Sequence, residues 1–282
     1  MLGLMQDWPL LTSKIIEHAA TWNGAVEIVT LRTEGDEHRY TYKDCQVRSK
    51  KLAQALGRRG VKNGDCIGTL AWNTYRHMEV WYGVGGMGAV AHTINPRLFL
   101  EQITYIINHA EDKVLFVDLT FVPLIIAIKD QVLNLKNIII MTDEAHMPET
   151  PFDNILCYEA LIDGEDGEYD WPELDENTAC GLCYTSGTTG NPKGVLFSHR
   201  STFLHTFCTL MKDTISTSAS DVSMPIVPMF HANAWGVPFA AAASGAKLVF
   251  NGPNYDPEVL YNLMEREKVT QSAAVPTVWL GL

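Results

Sequence analysis

Between Asp65 and Met141 the chain alternates two patterns, and that alternation constrains its fold more than any other feature. Short apolar runs occur at Asp65–Asn73, Ala89–Ile94, Lys113–Asp118 and Asn137–Met141. The intervening segments Thr74–Val84, Leu100–Glu111 and Phe121–Val132 carry apolar residues at helical spacing. A strand that is apolar on both faces must be covered on both, and a helix between two such strands supplies the cover. The spacing therefore predicts βαβ units and a parallel sheet. The alternation resumes with strands expected at Thr178–Thr185, Val195–Ser198, Asp221–Pro228, Ala246–Phe250 and Val269–Val275. Helices are expected at His199–Lys212, Asn233–Ser244 and Asp256–Lys268. The fold class is read as α/β, two lobes of mostly parallel sheet flanked by helices.

The 56 residues from Asn137 to Pro192 contain no Lys or Arg and hold thirteen Asp and Glu. Within them, Thr142–Asn177 is read as a solvated acidic connector. The expected division is a first α/β lobe over 1–177, including the connector 142–177, and a second lobe over 178–282. The chain stops at Trp279-Leu280-Gly281-Leu282, about one turn into a helix opened by Pro276, where an isolated helix is marginal. The second lobe is therefore expected to be incomplete at its C-terminus, and the chain to be part of something longer.

Charge and cysteine usage exclude several classes. With 21 Lys and Arg against 33 Asp and Glu, the net charge is −12, and no basic run offers a nucleic acid or an anionic membrane a patch. Six cysteines are too few for a disulfide scaffold in a chain of 282 residues. Met1–Leu10 lacks the basic start and apolar run of a signal peptide. No segment approaches the ~18 apolar residues of a spanning helix, so no transmembrane segment is expected and the location is read as cytoplasmic. An anionic small molecule would have to be held by a few placed cations.

One loop meets that requirement. Tyr184-Thr185-Ser186-Gly187-Thr188-Thr189-Gly190-Asn191-Pro192-Lys193-Gly194 falls between two expected strands. Its glycines let backbone N–H groups approach an anion closely. Its hydroxyls add donors that rotate to fit phosphate oxygens. Lys193 ends the 56-residue stretch without a cation. The order Lys193-Gly194 is not that of a Walker A loop, which needs Gly-Lys-Ser/Thr. A flexible Gly/Ser/Thr hairpin is the bland alternative, and the closing Pro-Lys-Gly argues against it.

This loop is similar to the nucleotide-binding signature of the adenylate-forming (AMP-binding) superfamily, which includes acyl-CoA synthetases, peptide-synthetase adenylation domains and firefly-type luciferases. Other stretches resemble the bacterial medium/long-chain fatty acyl-CoA synthetase branch. They are Gly86-Met87-Gly88-Ala89-Val90 with His92, Asn95-Pro96-Arg97-Leu98, Asn108–Leu115, Pro228-Met229-Phe230-His231 and Val275–Leu280. The resemblance runs from about Trp22 to Leu282 and corresponds to the N-terminal part of an acyl-CoA synthetase-like fold. It implies an ATP-dependent ligase that converts a fatty acid, ATP and coenzyme A into acyl-CoA, AMP and pyrophosphate through an acyl-adenylate. The implied cofactors are ATP, Mg2+ and coenzyme A, the implied partner is a fatty acid or other small carboxylic acid, and a homodimer is among the implied assemblies.

Residue by residue, the resemblance implies that Thr185, Ser186, Gly187, Thr188, Thr189, Gly190 and Lys193 hold the ATP phosphates, with Thr185 placing the metal. His231 would border the acyl-adenylate and donate to its oxygens, which makes Thr185, Lys193 and His231 the catalytic candidates. His231, Ala232, Trp235, Gly236, Val275, Pro276 and Thr277 would contact the acid. Trp235 is either the gate of an acyl tunnel or a core tryptophan. The family's aromatic-Gly-x-Thr-Glu segment, ribose-binding Asp, hinge and C-terminal Lys have no counterpart here. Two alternatives stay open: a ligase for a short thioether or aryl carboxylate, and an inactive nucleotide- or acyl-binding fragment.

Three other patterns are read as structural. Gly83-Val84-Gly85-Gly86-Met87-Gly88 spells a dinucleotide fingerprint but follows helical sequence and runs into a strand, the reverse of what that fingerprint needs, so it is read as close helix–sheet packing. Cys180 and Cys183 lie three apart in a strand and point to opposite faces, which excludes a shared metal. His199 and His205, six apart on a helix, do not share a face.

Overall fold

A computed structural model of the chain describes residues 1, 3–153, 155–185 and 191–282. The chain opens with α1 (Thr12–Trp22), the hairpin β1 (Glu27–Leu31) and β2 (Glu37–Thr41), and α2 (Tyr42–Arg58). There follow β3 (Cys66–Leu70), α3 (Tyr75–Gly86), β4 (Val90–Thr93), α4 (Leu100–His109), β5 (Val114–Val117), α5 (Val122–Ile128) and β6 (Asn137–Ile140). Next come β7 (Ile155–Cys157), α6 (Tyr158–Asp163), β8 (Ala179–Tyr184), β9 (Gly194–Ser198) and α7 (His199–Leu210). The last elements are β10 (Val222–Pro225), α8 (Val237–Ser244), β11 (Lys247–Phe250), α9 (Pro257–Glu267), β12 (Gln271–Ala273) and α10 (Pro276–Trp279).

The strands form two sheets. One has the order β7-β6-β5-β3-β4-β8-β9 and is parallel except for β9, which runs antiparallel to β8. The other has the order β12-β10-β11-β1-β2 and is parallel except for β2. Alternating side chains show how the layers stack. On β5, Val114 and Phe116 join one core while Leu115 and Val117 join the core under α4 and α5. On β1 and β11, Ile28, Leu248 and Phe250 join that same first core, while Val29 and Val249 face Leu260 and Leu263 of α9. The shared core is filled by α1, α2, α3 and α8, so a helical layer lies between the two sheets and each sheet is covered on its outer face too. Every residue of α3 is buried. Gly83 makes that possible, because a Cβ there would sit 2.8 Å from the Ser49 carbonyl on α2. Gly85, in the same motif, carries the expected helix–sheet packing, since a Cβ there would lie 3.7 Å from Cys180 Cβ on β8.

Three expectations need correction. The division at 177/178 does not follow the sheets: β8 and β9 complete the sheet begun by β3, and β1 and β2 belong with β10–β12. Pairing across some 220 positions, such as Ile28 with Leu248, leaves no local trace in the sequence. The acidic connector 142–177 contains β7, α6 and carboxylates that pair with arginines from elsewhere. Glu159 bonds both Arg48 (3.0 Å) and Arg76 (2.7 Å), and Glu165 bonds Arg58 at 3.0 Å. The helix expected over Asn233–Ser244 begins only at Val237, where Pro238 in its first turn suits a helix start. Among the described residues no helix is long and apolar enough to cross a membrane.

Candidate active site

In mostly parallel sheets the loops that follow the carboxyl ends of the strands are where ligands bind. Three such ends carry the candidate residues. Tyr184 closes β8, and the chain returns as β9 at Gly194. At the mouth of this hairpin Thr185 N donates to the Lys193 carbonyl at 3.0 Å, and Lys193 N donates to Thr185 Oγ1 at 3.4 Å. Both side chains are exposed. Ser186, Gly187, Thr188, Thr189 and Gly190 lie outside the described residues. Tyr184 braces the hairpin from below, since its hydroxyl pairs with His109 Nδ1 at 2.6 Å and its ring packs 5.2 Å from that of His92.

The second end is that of β10. Beyond Pro225 the chain passes through Pro228-Met229-Phe230 to His231, whose side chain is exposed. Ala232, Asn233, Ala234, Trp235 and Gly236 then all have positive φ, from 45° to 71°, and make a left-handed turn. Each of the four non-glycine residues pays roughly 1–2 kcal/mol for that hand. Surrounding contacts impose it. The Cys183 thiol donates to Asn233 Oδ1 at 3.5 Å, Ala234 is fully buried, and Gly236 leaves no room for a Cβ, which would lie 2.7 Å from His205 Nδ1. The turn holds Trp235 out of the core at 49% exposure, which removes the reading of Trp235 as a core residue.

The third end is that of β3, and it joins the other two. Asn73 is fully buried. Its Nδ2 donates to the carbonyls of Pro225 (2.8 Å) and Val227 (3.0 Å), and its Oδ1 accepts from Met229 N at 2.7 Å. One side chain from the seven-stranded sheet thus satisfies three backbone groups on the segment that leads to His231. Sequence reasoning missed Asn73, and its only local signal is an Asn just before Thr74, the residue that caps α3. It also gave no role to Arg97, whose guanidinium lies 5.8 Å from the Phe230 ring centre and 5.6 Å from that of Tyr255.

Two cavities border the left-handed turn. The larger, of about 230 Å3, is lined by Phe197, Ser201, His205, Ala232 and Gly236. The smaller, of about 20 Å3, is lined by Trp81, Cys180 and Gly181 among others. Thr202, Asn233 and Phe239 line both. Val275, Pro276 and Thr277 are not among the lining residues; they follow β12 at the edge beside β10, and all three are exposed.

The chemistry available is binding and polarisation. Burial pushes the Cys180 thiol up to about 11 and raises that of Cys183, so neither is a thiolate near neutrality. Cys180 faces Thr202 while Cys183 meets Thr93 and Asn233, so the two sulfurs point apart. Among the described residues no group of His, Cys, Asp and Glu could hold a metal by itself. Among the described residues, the Lys193 ammonium and Thr185 hydroxyl at the hairpin mouth, and the Arg97 guanidinium beside Phe230, are groups that can bind an anion.

Known proteins place this arrangement in context. The family model described as AMP-binding enzyme matches residues 16–282. A 3-methylmercaptopropionyl-CoA ligase of Ruegeria lacuscaerulensis is 49% identical over all of this chain and 52% of its own length. A medium-chain-fatty-acid–CoA ligase of Ectopseudomonas oleovorans is 50% identical, again over all of this chain and 52% of its own length. The fold matches the crystal structure of the anthranilate CoA ligase AuaEII in complex with anthranoyl-AMP, with a TM-score of 0.86 at 22% identity over 98% of this chain and 52% of that one. The chain spans about half the length of the curated relatives it matches.

Proposed function

Because the chain belongs to the AMP-binding enzyme family, we propose that it supplies the phosphate- and acid-binding part of an ATP-dependent acid–CoA ligase that works through an acyl-adenylate. One observation carries this reading. Cys183, two residues before Thr185, is bonded to Asn233, two residues after His231. That contact couples the root of the glycine-rich loop to the turn that follows the histidine, which supports reading the phosphate and carboxylate contacts as one site.

In this proposal Lys193 and the loop residues Ser186–Gly190 hold the triphosphate, and Thr185 contributes a hydroxyl to Mg2+ bound with the nucleotide. The exposed hydroxyl oxygen at Thr185 fits a site shared with the nucleotide's phosphates. Bound Mg2+ would offset charge developing on the phosphates. His231 orients the carboxylate and donates to oxygen as the acid attacks the α-phosphate. Ala232, Trp235 and Gly236 shape the entrance to an acyl slot, with Val275, Pro276 and Thr277 at its outer edge. The acid is a medium-chain fatty acid or a thioether acid, a range supported by the two ligases of nearly equal identity. Coenzyme A is the acyl acceptor.

The test is acid-dependent ATP–pyrophosphate exchange by the 282-residue chain, with Lys193→Ala and His231→Ala beside it. Exchange that requires the acid and falls at least about a hundredfold in each variant supports the proposal, in line with the loss of an electrostatic contact in a transition state. Folded chain that binds ATP without exchange would leave only the nucleotide-binding reading.

A further inference from the structure

Segment 108–112, at the end of α4, reaches the root of the glycine-rich loop by two routes. They meet at Tyr184, the last residue of β8 and the neighbour of Thr185. In the first route the Tyr184 hydroxyl pairs with His109 Nδ1 at 2.6 Å. The His109 ring is itself stacked on that of Tyr105, one turn earlier in α4, with centres 5.2 Å apart. In the second route Asp112 holds His92 of β4. Both side chains are fully buried, and His92 Nδ1 lies 2.8 Å and 3.0 Å from the two carboxylate oxygens. His92 Nε2 has no hydrogen-bond partner among the described residues, so the bond to Asp112 is what orients the ring. That ring packs 5.2 Å from the ring of Tyr184. A buried carboxylate is costly unless it is paired. Gly68 of β3 leaves room for this pair, since a Cβ there would lie 2.9 Å from Asp112 Oδ2.

Tyr184 in turn spans the hairpin. Its register partner across the sheet is Gly194, the residue after Lys193. A Cβ at Gly194 would lie 3.2 Å from Tyr184 Cζ, so the tyrosine ring covers the glycine. One side chain therefore belongs to the strand that leads into Thr185 and rests on the strand that leaves Lys193.

We propose that His109 and the Asp112–His92 pair are positioning residues for the phosphate loop: by fixing Tyr184 they hold the hairpin mouth at Thr185 and Lys193 in the conformation that receives a polyphosphate. The inference rests on the reading of that loop as the triphosphate site. In this role the three residues act through Tyr184 and not on the nucleotide directly. The physical gain is preorganisation. A loop rich in glycine gives up much conformational freedom when it closes on an anion, and a base fixed beforehand lowers that cost.

The experiment measures MgATP binding to the 282-residue chain by calorimetry, with hydrogen exchange at the Thr185 amide alongside. Tyr184→Phe removes one oxygen and keeps the ring, and His109→Ala removes its partner. Each should weaken MgATP about three- to tenfold, the value of one hydrogen bond, and speed exchange at Thr185. The double variant should be no weaker than either single one, because both remove the same bond. His109→Asn, whose amide reaches the place of Nδ1, should restore binding to within about twofold. Asp112→Asn keeps the shape of the side chain but weakens the charge-assisted bond to His92, and should cost about threefold. In a Tyr184→Ala background neither Asp112→Asn nor His109→Ala should have any further effect on affinity. A merely structural contribution would persist there, and such persistence would overturn the proposal. Affinities of Tyr184→Phe and His109→Ala within twofold of the parent, while Lys193→Ala abolishes binding, would overturn it and leave the phosphate reading standing. Folded parent chain that does not bind MgATP would overturn both.

Discussion

Replacing Asn73 with alanine strips three hydrogen bonds from one buried place. The carbonyls of Pro225 and Val227 and the amide of Met229 lose their partner, all within the segment that positions His231. An orphaned buried group costs ~1–3 kcal/mol, which bounds the loss at roughly 3–9 kcal/mol for three. The vacated space is polar and large enough for a water, which can restore part of the bonding, so the expected loss is about 3–5 kcal/mol. That is a large share of the ~5–15 kcal/mol by which a domain is stable. Urea unfolding of the variant and the parent chain measures it, and hydrogen exchange at the Met229 amide reports the local effect. Asn73→Asp sharpens the test. It keeps the acceptor for Met229 but faces two carbonyls with a carboxylate, so it should be at least as damaging as alanine. A loss below about 1 kcal/mol, or unchanged exchange at Met229, would refute the pinning role of Asn73.

Three further outcomes follow from other contacts. Gly252 has φ +56° and a Cβ there would lie 1.9 Å from the Leu31 carbonyl, so Gly252→Ala should cost roughly 3 kcal/mol or more in urea unfolding. Ala232→Gly relieves left-handed strain at an exposed position and should raise stability by about 0.5–1 kcal/mol, read as a higher melting temperature. Asp118 is buried, and burial raises its carboxyl to about 7 from the ordinary 3.8. The folded state therefore holds this proton longer than the unfolded state, and stability falls as pH rises from about 4 to 7. Asp118→Asn should remove that slope, so its stability relative to the parent chain should improve by a few kcal/mol between pH 5 and pH 8. Parallel pH dependences in the two proteins would contradict the assignment.

The repeating strand–helix pattern from Asp65 to Met141 was legible because each element there is short, apolar and locally periodic. The phosphate-loop candidates stand out in the sequence because glycine, hydroxyl and cation are concentrated in eleven consecutive residues. The pairing of β1 with β11 was not, since periodicity carries no information about a partner some 220 positions away. β7 was hidden by its setting, three apolar residues inside an acidic stretch. The left-handed turn was missed because Asn233-Ala234-Trp235 has the composition of a helix, and tertiary contacts from Cys183 and His205 decide its hand. Pro238 was the one local clue that a helix starts after Gly236 rather than before it. Asn73 was invisible for the same reason as the β1–β11 pairing: its partners lie more than 150 positions downstream.

The order in which the five-stranded sheet is assembled has a consequence for biosynthesis. β1 and β2 leave the ribosome early, yet the open edge of β1 is closed only by β11. At ~5–20 residues per second, about 10–40 s separate the two. For that interval the pair exists as a two-stranded ribbon, a structure that is marginal in water. Ile28 and Val29, fully buried in the finished chain, have neither α9 nor β11 to cover them during that time. The N-terminal hairpin thus offers an unpaired apolar edge to any neighbouring nascent chain, and the yield of folded protein should depend on translation rate and on holdase chaperones more than on the stability finally reached.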